Sequence, residues 1–210
     1  MTPELTFFIY AFTSIFAIVN PVSGVMAFIS MTSHMSRADK IYIAKRSVVI
    51  ACIVAIVFSI SGEILLKLFN ITADSLRVAG GVLLFLVAID MLFARTTRES
   101  ITTEELKDAS QRENISIFPI AMPLLTGPGA ITTIIVLIKT AENIDLKLIV
   151  VGAILLTFLI TFLIFRFSDY FNKVVGMTGM LVMTRLMGLF LGAIAVDFIS
   201  TGIKGIFNLA

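Results

Sequence analysis

The sequence predicts an all-α membrane protein of six transmembrane helices, built as a 3+3 inverted repeat in which helices one and four are discontinuous. Three observations predict it. The 210 residues are 58% hydrophobic and 14% charged, with a mean hydropathy of +1.04, whereas a soluble domain carries about 25% charged and about 45–50% apolar residues. Too little polar surface exists to cover a water-soluble globule of this size. The apolar residues also gather into six runs, each near the ~20 residues that a hydrocarbon core demands. Finally, residue types that are scarce in lipid recur in the second half at a constant offset.

The runs are Leu5–Ser30, Ser47–Leu66, Leu76–Phe93, Ile115–Ile138, Leu148–Phe167 and Leu181–Ile203. Before the first, Glu4 is the only charged side chain. With no basic n-region and a run too long for a signal core, this is not read as a cleavable signal peptide. The polar, mixed-charge stretch Ala94–Asn114 divides the chain. Residues 1–93 form a first three-helix repeat, residues 94–114 a cytoplasmic linker, and residues 115–210 an inverted second repeat.

The repeat shows when the chain is displaced on itself by 107 or 108 residues. Pro21 then falls on Pro128, Arg77 on Arg185, Gly80 on Gly188 and Asp90 on Asp197, while Ser61-Gly62 falls on Ser168-Asp169. Matching apolar residues carry no weight, because any membrane protein has them. An odd number of helices per half turns the second half upside down. Inverted repeats of this kind are common in secondary transporters, with the solute site near the midplane where the halves meet.

Prolines mark where two spans break. Pro21 and Pro128 cannot return a hydrogen bond to the carbonyls of Ala17 and Leu124. Asn20 and Gly127, each preceding a proline, are pushed out of the right-handed helical region. Asn20 is also a good N-cap, with Pro21 at the first helical position. Freed backbone groups in lipid must face protein, water or a solute. Helix N-termini suit a carboxylate and freed carbonyls suit an ammonium or metal cation, so the pair of breaks suits a zwitterion. The candidate binding residues are Asn20, Pro21, Ser23, Gly24, Thr126, Gly127, Pro128 and Gly129.

At these residues the chain resembles the MarC family of small inner-membrane proteins, which includes neutral amino acid transporters. The resemblance rests on Asn-Pro-Val-Ser-Gly (20–24), Leu-Arg-Val-Ala-Gly-Gly (76–81), Ile-Ala-Met-Pro-Leu-Leu-Thr-Gly-Pro-Gly (120–129) and Thr-Arg-Leu-Met-Gly (184–188). The family often has Pro at the position of Met26 and an uncharged residue at that of Asp197. The resemblance implies a multi-pass protein of the cytoplasmic membrane whose cargo is a small neutral amino acid such as glycine or alanine. A coupling ion, proton or sodium, is left open as a partner. So are a passive channel, a lipid-handling protein and a membrane subunit without cargo of its own.

Of the other polar residues, Glu63, Asp90 and Asp197 lie at or inside apolar spans, where acids attract functional hypotheses. Inversion would place Asp90 beside Arg185 on the cytoplasmic side and Arg77 beside Asp197 on the outer side, as gating or ion pairs between halves. Gly80, Gly81, Gly188 and Gly192 are expected to let helices three and six approach closely. An enzyme is not expected. One His and one Cys give no helical metal cluster, and neither a Walker A loop nor an intramembrane protease motif is found. No cofactor is implied, and a net charge of +2 gives no reason to invoke nucleic acid. Cys52 lies in an apolar helix as a small hydrophobe.

Orientation follows from Lys and Arg in the short loops. Arg37, Lys40, Lys45, Arg46, Arg95, Arg98, Lys107, Arg112, Arg166 and Lys173 lie on one side, against Lys67, Lys139, Lys147 and Lys204 on the other. The basic side is cytoplasmic, which puts both termini outside. Reporter fusions after Ala210 should therefore read as extracytoplasmic and fusions within 94–114 as cytoplasmic. The reverse pattern would show that the helix count or the charge rule misleads here.

Overall fold

A computed structural model describes residues 2–93 and 115–208, so the expected linker Ala94–Asn114 lies outside the described residues. The regular elements among them are helical. They are α1 (Pro3–Val19), α2 (Pro21–Thr32), α3 (Arg37–Leu68), α4 (Ala73–Leu92), an irregular wide-turned segment (Ser116–Leu125), α5 (Pro128–Thr140), α6 (Ile144–Arg166) and α7 (Ser168–Phe207). Five spans are long and apolar enough to cross a membrane when α1 and α2 are taken together as Pro3–Thr32. The segment with α5, bent by 55°, makes a sixth.

The helices start and stop where side-chain chemistry permits. Ser36, Thr72 and Asn143 cap α3, α4 and α6, each accepting from the backbone N–H three residues on at 3.2, 3.1 and 2.9 Å. At the end of α3 the chain turns through Asn70, with φ at 53°, and Ile71 N–H returns to Leu66 O at 2.9 Å, a left-handed termination. The 32 residues of α3 run about 48 Å, beyond a hydrocarbon core of about 30 Å. Its first turns, Arg37 to Arg46, are polar and account for the excess. The apolar run beginning at Ser47 underestimated this helix because a good cap extends it into water. In α7 the chain kinks at Gly176, where φ is 66° and ψ is 170°, a conformation that is essentially glycine's own. The apolar span proper is Thr178–Phe207.

Packing sorts the helices into two cores. The larger is built from α1, α2, α3, the irregular segment, α5, α6 and the first part of α7, around Ile15, Phe28, Ala51, Ile120, Ile154 and Met180. Phe28 stacks on Phe165 there with centroids 4.7 Å apart. The smaller core joins α4 to α7 through Leu84, Ala88, Leu191, Ala195 and Phe198, with Val136 of α5.

Glycines bring α4 and α7 backbone to backbone. A Cβ added to Gly81 would lie 2.9 Å from Ala195 O and 3.0 Å from Ile199 N, and one added to Gly188 would lie 3.1 Å from Ala88 O and 3.2 Å from Leu92 N. Gly192 makes only an ordinary contact with Ala88, at 3.6 Å. Gly80 turns elsewhere and receives the Thr132 side chain of α5. Ion pairs hold α3 at both of its ends. Lys40, near its start, meets Asp169 in the first turn of α7 at 2.7 Å, and Glu63, near its end, meets Lys147 near the start of α6 at 3.0 Å.

Gly81→Ala and Gly188→Ala should each destabilise the protein by about 1–3 kcal/mol, the usual cost of forcing an extra methyl into a packed contact. Gly152 is the control, because a Cβ there meets nothing within 4 Å. Gly152→Ala should be neutral or stabilising by up to about 1 kcal/mol. Thermal unfolding of the three variants in detergent would check this ordering.

Candidate functional site

The first break is one residue wide. Asn20 adopts the left-handed region, φ 46° and ψ 66°, which asparagine tolerates better than most residues. Its N–H closes α1 on Phe16 O at 2.9 Å, while its carbonyl accepts from Gly24 N–H at 3.0 Å and so opens α2. Its side-chain oxygen caps α2 by accepting from Ser23 N–H at 3.3 Å. A single residue is thus both stop and start, and Pro21, lacking an N–H, makes the break obligatory.

A chain of side-chain hydrogen bonds leaves this point. Asn20 Nδ2 donates to Ser23 Oγ at 2.7 Å and lies 3.4 Å from Met91 Sδ at the end of α4. Ser23 Oγ donates to Thr184 Oγ1 of α7 at 3.1 Å, and Thr184 Oγ1 lies 3.6 Å from Met26 Sδ. Asn20 and Thr184 are 6% and 9% exposed, so these contacts are made away from bulk solvent.

The second break is built differently. The segment before it contains Pro119 and Pro123 after cis peptide bonds, and extended backbone at Phe118 and Met122 interrupts its turns. Fully buried Thr126 donates its N–H to Ala121 O at 3.0 Å and its hydroxyl to Ala51 O of α3 at 3.0 Å. Gly127 is extended, with φ at −85° and ψ at 179°. Its need for glycine is steric, since a Cβ would sit 2.6 Å from Pro123 O. The turn into α5 therefore folds back on the carbonyl four residues earlier. No side chain caps α5, so its first-turn amides at Gly129 and Ala130 have no side-chain partner.

The two breaks meet inside the bundle. A Cβ at Gly24 would touch Phe165 at 3.2 Å and Leu125 at 3.5 Å; one at Gly129 would touch Leu84 at 2.7 Å and Ile18 at 3.9 Å. Asn20, Pro21, Gly24 and Thr126 are buried, Ser23, Gly127 and Gly129 half-buried, and Pro128 exposed. All eight candidates fall in this one region. Sequence reasoning passed over Thr184, Met91 and Ala51. Nothing marks Met91 or Ala51 in an apolar run, whereas Thr184 stood inside a quoted motif and was read only for its neighbours.

The four charged candidates are arranged otherwise than inversion suggested. Arg77 bonds Asp74 at 3.2 Å and the Thr140 hydroxyl at 2.8 Å. Among the described residues no ion pair joins Arg77 to Asp197 or Asp90 to Arg185, and Asp90, Arg185 and Asp197 are exposed. The ion pairs between the halves fall to Lys40, Glu63, Lys147 and Asp169 instead. A cavity of about 420 Å³ opens at the α3–α4 turn, lined by Glu63, Lys67, Asn70, Asp74 and Lys139. Among the described residues no group of His, Cys, Asp and Glu could hold a metal ion.

Residues 5–207 match the family described as MarC family integral membrane protein. The chain belongs to the MarC family. Its relatives include a UPF0056 membrane protein of Methanocaldococcus jannaschii, 38% identical, with 96% of this chain and 98% of the relative covered. The UPF0056 membrane protein YvbG of Bacillus subtilis is 34% identical, covering 96% of each chain. YhcE of Escherichia coli is 38% identical over 93% of this chain and 91% of its own length. No solved structure matches this MarC chain.

Two substitutions probe the second break. Thr126→Val keeps the shape and removes one buried hydroxyl bond, for an expected loss of about 0.5–1.5 kcal/mol. Gly127→Ala should cost more, about 1–3 kcal/mol, because the Pro123 carbonyl is backbone and cannot swing away. The order of their melting temperatures in detergent decides whether this turn is built as described.

Proposed function

We propose that this MarC chain is a secondary transporter, not an enzyme, which moves small neutral amino acids across the cytoplasmic membrane by alternating access. The observation that carries the reading is the meeting of two helix breaks, one from each half, inside the bundle. At that place a capped helix start, α2, faces an uncapped one, α5. The uncapped amides of Gly129 and Ala130 and the positive end of α5 suit a carboxylate. Carbonyls released at the end of α1, together with the Ser23 hydroxyl, suit the ammonium. A coupling ion, proton or sodium, belongs to the proposal only as an open partner.

An inverted repeat underlies the mechanism, and specific contacts support it. Gly81 approaches Ala195 and Ile199, and Gly188 approaches Ala88 and Leu92. Adding 107 to 81, 88 and 92 gives 188, 195 and 199, so one contact is made twice with the halves exchanged. The ion pairs follow suit: adding 107 to Lys40 gives Lys147, and subtracting it from Asp169 gives 62, one residue from Glu63. Two equivalent packings of this sort allow a central site to open to either side in turn. The bias of basic residues toward one set of loops supports a cytoplasmic linker with both termini outside.

Uptake of labelled glycine and L-alanine into liposomes holding the purified protein tests the reading. Asn20→Ala, Pro21→Ala, Pro128→Ala and Gly127→Val should insert normally and lose at least about tenfold in rate, the effect of losing about 1.4 kcal/mol of solute binding. Gly152→Ala should transport as the parent does. Normal uptake by Pro21→Ala and Gly127→Val together, at matched protein levels, would sink the broken-helix site.

A further inference from the structure

The hydrogen bonds around Asn20 are unusually weak for so buried an amide. One Nδ2 proton goes to Ser23 Oγ at 2.7 Å, but the other has the thioether of Met91, at 3.4 Å. A thioether sulfur is a poor acceptor, whereas an ionised carboxylate is among the best. Across the same space, the Ser23 hydroxyl donates to Thr184 Oγ1 at 3.1 Å, and the Thr184 hydroxyl in turn has a second thioether, Met26 Sδ at 3.6 Å. Each strong donor or acceptor at the first break is therefore occupied by a neighbour that a charged solute would outcompete. The partners come from α4 and α7, which share the smaller core, while Asn20 and Ser23 belong to the first span.

We infer that Thr184 and Met91 complete the solute site as its far wall, and that they hold Asn20 and Ser23 in a clasp which the solute displaces. This rests on the transporter reading above. When a small zwitterion enters, one carboxylate oxygen takes the Asn20 amide from Met91. Its ammonium donates to the Ser23 and Thr184 hydroxyls, whose free lone pairs turn toward it. Met91 is then a placeholder for the carboxylate, and Thr184 a ligand-contacting residue. No covalent bond changes, and protons stay on their atoms. The methionines suit the task, because an unbranched thioether chain adapts to a filled or an empty site.

The two residues make opposite predictions. Met91→Leu removes the competitor for the Asn20 amide and should tighten glycine binding about threefold. Thr184→Val removes a ligand and should weaken it about tenfold, while Thr184→Ser, which keeps the hydroxyl, should stay within about twofold of the parent; these sizes are those of one ordinary hydrogen bond. Calorimetric titration of the purified protein with glycine reads all three. A Thr184→Cys variant in a Cys52→Ala background gives a second reading should Thr184→Val fail to fold. Its alkylation by a maleimide should slow at least about threefold in saturating glycine. An unchanged or weaker Met91→Leu, an unchanged Thr184→Val, or alkylation indifferent to glycine each overturns the clasp. A parent protein that binds none of glycine, alanine or serine overturns the transporter reading itself, and the clasp with it.

Discussion

In a hydrocarbon slab every peptide N–H and C=O must find a partner within the protein, because no water is there to supply one and an orphan costs several kcal/mol. An unbroken helix meets that demand without help. A helix interrupted by proline does not, and much of this chain's interior is arranged to meet the deficit. Asn20 meets it locally, turning left-handed and using its backbone and side chain to serve two helices. At the second break the demand is met from a distance, by Thr126 reaching the Ala51 carbonyl of α3. Groups still uncapped after these repairs, at the start of α5, are the ones with capacity for something from outside.

Much of this was legible beforehand, and the reasons are physical. Six apolar runs announce six spans because lipid leaves long uncharged sequence no other role. The breaks at Pro21 and Pro128 were readable because proline acts through its own covalent structure, whatever surrounds it. Helix lengths were less so: α3 overshoots its apolar run since Ser36 and Asp39 stabilise turns that hydropathy counts as loop. Side-chain partnerships were least legible. Arg77 was expected to pair with Asp197 of the other half; its ion pair is with Asp74, three residues earlier, and its bond to the other half goes to the Thr140 hydroxyl. Gly127 was singled out because it precedes Pro128, whereas the atom that excludes a side chain there is the Pro123 carbonyl. Nothing in the order of residues reveals that Met91 ends beside Asn20, for the two are 71 positions apart.

The packing distributes mechanical roles. Ion pairs fasten the two ends of α3 to the start of α7 and to the start of α6, and such pairs contribute little energy singly, about 0–1 kcal/mol. Their placement matters more, since each ties an end of α3 to a helix of the other half. Helices α4 and α7 achieve the same unity by close backbone approach along glycines. Between these two sets of contacts lie the breaks and the clasp, fastened by a few hydroxyls and thioethers. Covalent rigidity and dense packing surround the site, and soft contacts fill it.

One asymmetry has a thermodynamic consequence. In the alternating-access scheme proposed above, identical halves would make the forms open to either side of the membrane symmetry-related and equal in energy, and at rest each would be equally populated. Here α2 begins on an asparagine that supplies its own cap, and α5 begins on a glycine that supplies none. An asparagine cap is worth a few tenths of a kcal/mol more than a glycine one, which corresponds to roughly a twofold preference between two states that expose the two breaks unequally. Under the transporter reading proposed above, the resting protein leans slightly to one side before any gradient acts on it, and the lean is written in the difference between Asn20 and Gly127.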